Sequence, residues 1–200
     1  MKWFFLTVLM LVAKLRRVWG ECDQGVYDYG VTSKEKTYIL EKHNGLRLLI
    51  ARGKLEGQPR GINLKRMKWD DYLAAAAQNI ANTCHYAHAD VSDSRWQVGQ
   101  NIFNSKSTNF VKGANWTAAI YSWWNEHEVY HYPNGFSYST AHYTQMAWAN
   151  TDHVGCGYTH YPIHDGQYNY QKFYVCNYGP AGNYDWAPYK TGNSGCQNLC

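Results

Sequence analysis

All six cysteines, Cys22, Cys84, Cys156, Cys176, Cys196 and Cys200, lie downstream of an apolar N-terminal leader, and this arrangement constrains the chain more than any other feature. An even count behind a secretory leader reads as disulfides formed in an oxidising compartment. The leader, 1–20, has Lys2, then an apolar run from Trp3 to Ala13, then a segment with Val18 and Gly20 at the small-residue positions before cleavage. Its basic residues after the run, Lys14, Arg16 and Arg17, are unusual for such a segment. The run is shorter than the about 20 residues that cross a bilayer, and no later stretch is long enough. The expected product is secreted and extracellular, with no transmembrane segment. Cleavage would remove four of the 19 basic residues and none of the 15 acidic ones, leaving a formal net charge of zero. A neutral chain lacks the footprint of a nucleic-acid binder, which excludes that class of partner.

Roughly 180 residues then remain, enough for one domain with its own apolar core. Periodicity gives the order of elements. A helix capped at Ser33 and running to Ala51 is predicted from Ile39, His43, Leu46 and Ile50. A second starts near Asp70, with Leu73, Ala76, Ala77, Ile80 and Cys84 on one face and an alanine run that permits close packing. A third is expected over 116–130 and a short one over 143–148. The period then changes to that of strands, 153–161 and 168–178, around an Asp165-Gly166-Gln167 turn. Cys156 and Cys176 are equidistant from Gly166, so this hairpin sets them directly opposite each other, close enough for a disulfide. No pair of cysteines has zinc-finger spacing with nearby histidines.

Four motifs occur in order: His43-Asn44-Gly45-Leu46-Arg47, Gly99-Gln100-Asn101-Ile102, the Ala141–Thr151 stretch AHYTQMAWANT, and the Phe173–Asn183 stretch FYVCNYGPAGN. Together they resemble the CAP superfamily (cysteine-rich secretory, antigen 5 and pathogenesis-related proteins), and within it the antigen 5, or venom allergen 5, proteins of arthropods. The resemblance implies an α+β fold, a three-layer α-β-α sandwich over 21–183, followed by a tail, 184–200. That tail, with Ala187-Pro188-Tyr189-Lys190 and two cysteines, is similar to the start of a cysteine-rich hinge. The chain ends at Cys200, so channel block by a further domain is not expected. By the same resemblance Cys22 pairs with Cys84, and elimination then leaves Cys196 with Cys200.

The family also has a cleft built from two histidines and two acids, some members binding a divalent cation there. The resemblance places His88, His142 and Glu126 in this set, with Gln100 at the fourth position where a carboxylate is commoner. Imidazoles with a carboxylate suit zinc or copper, and a neutral Gln100 would weaken the site; a metal-free polar cluster is the alternative. A hydrolase using His142 with Glu126, or a metal-activated water, is the enzymatic reading. It lacks a nucleophile, since neither Ser137 nor Ser139 sits in a Gly-x-Ser-x-Gly elbow. Binding is the favoured class, in a venom, salivary or immune-related role. Phe103, Phe110, Trp116, Ile120 and Trp124 are candidates for a sterol or fatty-acid pocket, or for core filling. An extracellular host protein is another possible target, though no Arg-Gly-Asp triplet is present. Asn115-Trp116-Thr117 is the one N-glycosylation sequon.

Overall fold

The computed structural model describes residues 22, 25–196 and 199–200, and the expected leader lies outside them. In chain order the elements are β1 (Asp28–Tyr29), α1 (Ser33–Ala51), β2 (Lys68–Trp69), α2 (Asp71–Ala81), β3 (Gly99–Ser107), α3 (Trp116–Trp124), α4 (Ala141–Ala147), β4 (His153–Pro162) and β5 (Tyr170–Gly179). The sheet runs β1-β4-β5-β3, antiparallel throughout, and β2 adds to β4 in parallel.

Alternation along the two long strands divides the core into two layers. Val154, Cys156 and Tyr158 of β4, with Tyr174, Cys176 and Tyr178 of β5, face α1, α3 and α4 in the larger cluster. Phe173 and Val175 face the other way, onto Ala77, Ile80 and Ala81 of α2. The result is the α-β-α sandwich. On the α2 side β4 carries Gly155 and Gly157. A Cβ at either would lie 2.2 Å from the backbone N of Ala74 or 2.4 Å from that of Gln78. The alanine-rich helix therefore rests its backbone directly on the strand.

Helix α1 is capped one residue earlier than predicted. Thr32 and Glu35 form a reciprocal capping box, with Thr32 N–H donating to the Glu35 carboxylate at 2.8 Å and Glu35 N–H to Thr32 Oγ1 at 3.3 Å. Helix α3 stops at Trp124, short of the predicted 130, and a 3-10 turn follows over Asn125–Glu128. His127 Nδ1 donates to the Trp124 carbonyl there, which occupies an acceptor at the helix end. The hairpin register is the predicted one, with Cys156 opposite Cys176 and the bridge closed at a Cα separation of 4.1 Å. Its loop is longer than three residues: the ladder ends at Pro162 and Tyr170, and Asp165 Oδ1 accepts from the N–H groups of Gln167 and Tyr168. The Cys22–Cys84 and Cys196–Cys200 bridges are also closed. Within the tail, Tyr189 and Leu199 are buried in the larger core.

Candidate functional site

Four parts of the fold supply the candidate residues. The segment after α2 brings His88, β3 brings Gln100, and the turn after α3 sets Glu126 against the start of α4, which carries His142. Glu126 is fully engaged: Oε1 accepts from His142 Nδ1 at 2.6 Å, and Oε2 accepts from the backbone N–H groups of His142 and Tyr143 at 2.9 and 3.1 Å. A carboxylate on first-turn N–H groups is in its favourable place on a helix. It also makes Nδ1 of His142 the protonated nitrogen and leaves Nε2 with its lone pair. Trp123 stacks beside this imidazole, the ring centroids 6.4 Å apart.

Gln100 does for His88 what Glu126 does for His142. Its Oε1 accepts from His88 Nδ1 at 2.9 Å and from Ala89 N–H at 3.1 Å. The second bond identifies this atom as the amide oxygen, so His88 too carries its proton on Nδ1. The Gln100 amide nitrogen donates to Ala89 O and to Asn177 Oδ1. Both ends of Gln100 are spent.

The set of His88, Glu126, His142 and Gln100 is thus held as two hydrogen-bonded pairs. Among the described residues no group of three or more His, Cys, Asp or Glu side chains could hold a metal ion. Glu126 and Gln100 turn their oxygens onto the imidazoles and orient the rings. The donor set left free consists of the two imidazole Nε2 atoms. It does not fit a closed protein cage. His88 and Gln100 line a cleft of about 910 Å³, with Phe136, Tyr138, Ala141 and Asn183 around it. Ser137 and Ser139 hydroxyls bond each other at 3.1 Å, so neither is paired with His142 as a nucleophile would be.

Four of the five candidates for an apolar pocket belong to the core, and Phe110 lies apart from them. Trp116, Ile120 and Trp124 are buried in the larger core, with Phe103 packed against it. Phe110 is half exposed and lies against Tyr27 and His160. The placement reflects β3, an element the sequence reading missed: residues 99–107 pair along β5 and carry Phe103 opposite Tyr174.

Asn115 is exposed and caps α3, its Oδ1 accepting from Ala118 N–H at 3.0 Å. A glycan attaches through the amide nitrogen, so cap and sugar are compatible. The expected result is that glycosidase lowers the mass of the secreted protein. Asn115→Asp should abolish that change while keeping the cap; Asn115→Gln should abolish it and cost about 1 kcal/mol through the lost cap. A mass unaffected by glycosidase means an unused sequon.

Also missed were the burial and the reach of Arg47. His43, Asn44 and Arg47 are all buried on α1. His43 donates from Nδ1 to Ile39 O and accepts at Nε2 from Tyr178 OH, and burial lowers its pKa to about 4. Asn44 bonds both backbone groups of Met67. Arg47 donates to the carbonyl of Lys65 and to carbonyls at and just past the end of α4.

Comparison with known proteins adds four findings. Residues 40–178 match the CAP family, described as the cysteine-rich secretory protein family. The chain is 41% identical over 169 residues to a venom allergen 5 of Vespula maculifrons, covering 80% of this chain and 73% of that one. It is 35% identical over 207 residues to a salivary antigen-5 of Dipetalogaster maximus, covering 97% and 82%. Among solved structures, a crystal structure of NaASP2 with Zn2+ superposes with a TM-score of 0.66 at 27% identity, covering 84% of this chain and 92% of that one.

Proposed function

We propose that this chain, which belongs to the CAP family of cysteine-rich secretory proteins, acts outside the cell by binding, and that His88 and His142 take up a divalent zinc or copper ion weakly. It is an antigen 5-like member, its relatives being venom and salivary proteins. One observation carries the metal reading: both imidazoles are held through Nδ1, by Gln100 and by Glu126, which presents Nε2 as the acceptor on each. NaASP2, a structural neighbour, has been crystallised with Zn2+. A bound ion would act as a Lewis acid toward an oxygen or nitrogen donor of a ligand in the cleft. The residues themselves orient the rings and hold the proton on Nδ1, which leaves the Nε2 lone pair free. Binding is favoured over hydrolysis because the polar groups here are consumed in fixing the imidazoles, with no hydroxyl among the described residues bonded to His142.

Gln100 has a revised part in this reading. As an amide it orients His88 without adding basicity, whereas a carboxylate at 100 would do both. Calorimetric zinc titration near neutral pH is expected to show weak uptake by wild type and none by His142→Ala. Gln100→Glu should bind more tightly, by roughly tenfold or more, the usual worth of an outer carboxylate partner. Equal uptake by wild type and His142→Ala removes the site from these residues. No gain in Gln100→Glu removes the account of Gln100. The apolar-ligand reading has weaker support, since Trp116 and Trp124 are core residues. Secretion through cleavage of 1–20 remains part of the proposal, and N-terminal sequencing of the secreted protein tests it.

A further inference from the structure

The face of β4 that sends Val154, Cys156 and Tyr158 into the core also carries His160, which is completely buried. Strand register sets Asp28 of β1 on one side of it and Lys172 of β5 on the other. Directly paired residues share a face, so three titratable side chains form a row across three strands. Lys172 is itself buried and its Nζ donates to Gly113 O at 2.6 Å.

The row has an aromatic cover. Phe110 stacks on the His160 ring with centroids 5.2 Å apart and planes 16° apart. Tyr27 closes at 5.3 Å and Tyr170 at 6.1 Å, and Tyr27 meets Phe110 edge to face. Neither ring nitrogen of His160 has a hydrogen-bond partner among the described residues. A buried imidazole with both nitrogens unpaired demands a reason, because such atoms are nearly always satisfied. The cover is held lightly. Tyr27 and Phe110 are each 50% exposed, on the short segments before β1 and after β3. Val26, Tyr29 and Val111 beside them are exposed as well.

We propose that His160 is the sensor of a pH-operated latch: as a neutral ring it holds residues 25–29 and 108–113 on the sheet, and on protonation it releases them. The groups that face it are Asp28 from β1, Lys172 from β5 and the phenols of Tyr27 and Tyr170, while the loop after β3 contributes the uncharged Phe110. A charged ring would have to sit in an apolar box beside an ammonium group, with Asp28 as the one opposing charge of the row. Burial foremost, then Lys172, lowers the pKa of His160 from its ordinary value of 6.5, and Asp28 works against them. The open form therefore binds the proton more readily than the closed form. The closed form is favoured above 6.5 and is lost as the pH falls below it. Release would bare the edge of β4 now paired with β1. His43, also buried, is held near 4 and bonded through both nitrogens, so it titrates below this window.

Hydrogen exchange of the intact protein at about pH 7.5 and about pH 5.5, expressed as protection factors, tests the latch. Protection of 25–29 and 108–113 is expected to fall by up to about tenfold at the lower pH, the largest factor that an ordinary histidine one unit above the pH can supply. Protection of α1 and α2 should stay constant. His160→Phe keeps the stack without the titration and should hold protection equal at both values. A wild type with no change, or His160→Phe behaving as wild type does, overturns the proposal. Should His160→Phe fold poorly, an NMR titration of His160 decides it. Its pKa should be lower in wild type than in Phe110→Ala, where the cover is cut back; equal values overturn the proposal.

Discussion

Arg47→Met is expected to abolish cooperative unfolding, leaving a chain that does not hold its native fold at ambient temperature. Arg47 projects from α1 into the core and is completely buried. Nε and Nη2 donate to Lys65 O at 3.0 and 2.6 Å, and Nη1 to Met146 O and Trp148 O at 2.9 and 2.8 Å. Nη2 reaches Ala149 O and Thr151 O at 3.3 and 3.2 Å. Burial lowers its pKa to about 9, with Asp152 acting the other way, so the guanidinium remains charged at neutral pH. Methionine would fill much of the volume and donate to none of these carbonyls. Each buried acceptor left unpaired costs about 1–3 kcal/mol. Trp148 O and Ala149 O keep the N–H groups of Thr151 and Lys65 as donors, so Lys65 O, Met146 O and Thr151 O are the ones stranded. Three such losses reach into the about 5–15 kcal/mol that stabilises a typical domain. Lysine would keep the charge without the planar fork and should rescue little. The site would suffer too, since Met146 and Trp148 lie at the end of the helix that carries His142 in its first turn. Thermal denaturation followed by circular dichroism checks this. A melting temperature within a few degrees of wild type would show that water or rearrangement replaces the guanidinium.

The His43 to Arg47 motif shows how sequence and structure divide the information. Helical spacing finds His43, Leu46 and Ile50 because apolar and aromatic residues recur on one face. Asn44 and Arg47 read as polar surface by the same logic, and only the family resemblance marks them as special. Their function depends on carbonyls roughly 20 and 100 positions away, and no local pattern encodes those partners. Strand β3 was invisible for a related reason. GQNIFNSKS has no clean alternation, as its polar residues are used by neighbours: Gln100 holds His88, and Asn101 donates to His142 O. The cysteine pairing at 156 and 176 was legible because register is a local property of a hairpin. At the site, residue types were legible and their roles were not. Whether Gln100 binds a metal or orients a ring turns on which nitrogen of His88 faces it, and spacing carries no such information.

Gly157→Ala tests the second large effect, the contact of α2 with the sheet. A Cβ there would lie 2.4 Å from Gln78 N, 2.5 Å from its Cα and 2.6 Å from Ala77 C, all backbone atoms. No rotamer change can relieve such a clash, so α2 must move away from β4 or the strand must bend. Overpacking of this kind costs about 1–3 kcal/mol, and more where the obstacle is rigid. A one-sided shift would also strip packing from Leu73, Ala77 and Ile80, which are buried at this layer. The Gln78 side chain would be disturbed as well, since it bonds the backbone N–H and C=O of Tyr158. Gly45→Ala is the control. It is exposed in the middle of α1 with nothing within 4 Å of its Cβ position, so alanine should raise stability by about 0.5–1 kcal/mol. Because α2 leads through Cys84, tied to Cys22, into His88, a displaced helix should weaken zinc uptake in Gly157→Ala while Gly45→Ala binds as wild type does. Denaturant midpoints and zinc titrations on the two variants measure both consequences. If Gly157→Ala keeps the wild-type midpoint, the close approach of α2 to β4 is not what fixes this layer. If it loses stability and binds zinc unchanged, His88 is held by its partner Gln100 and not by the helix that precedes it.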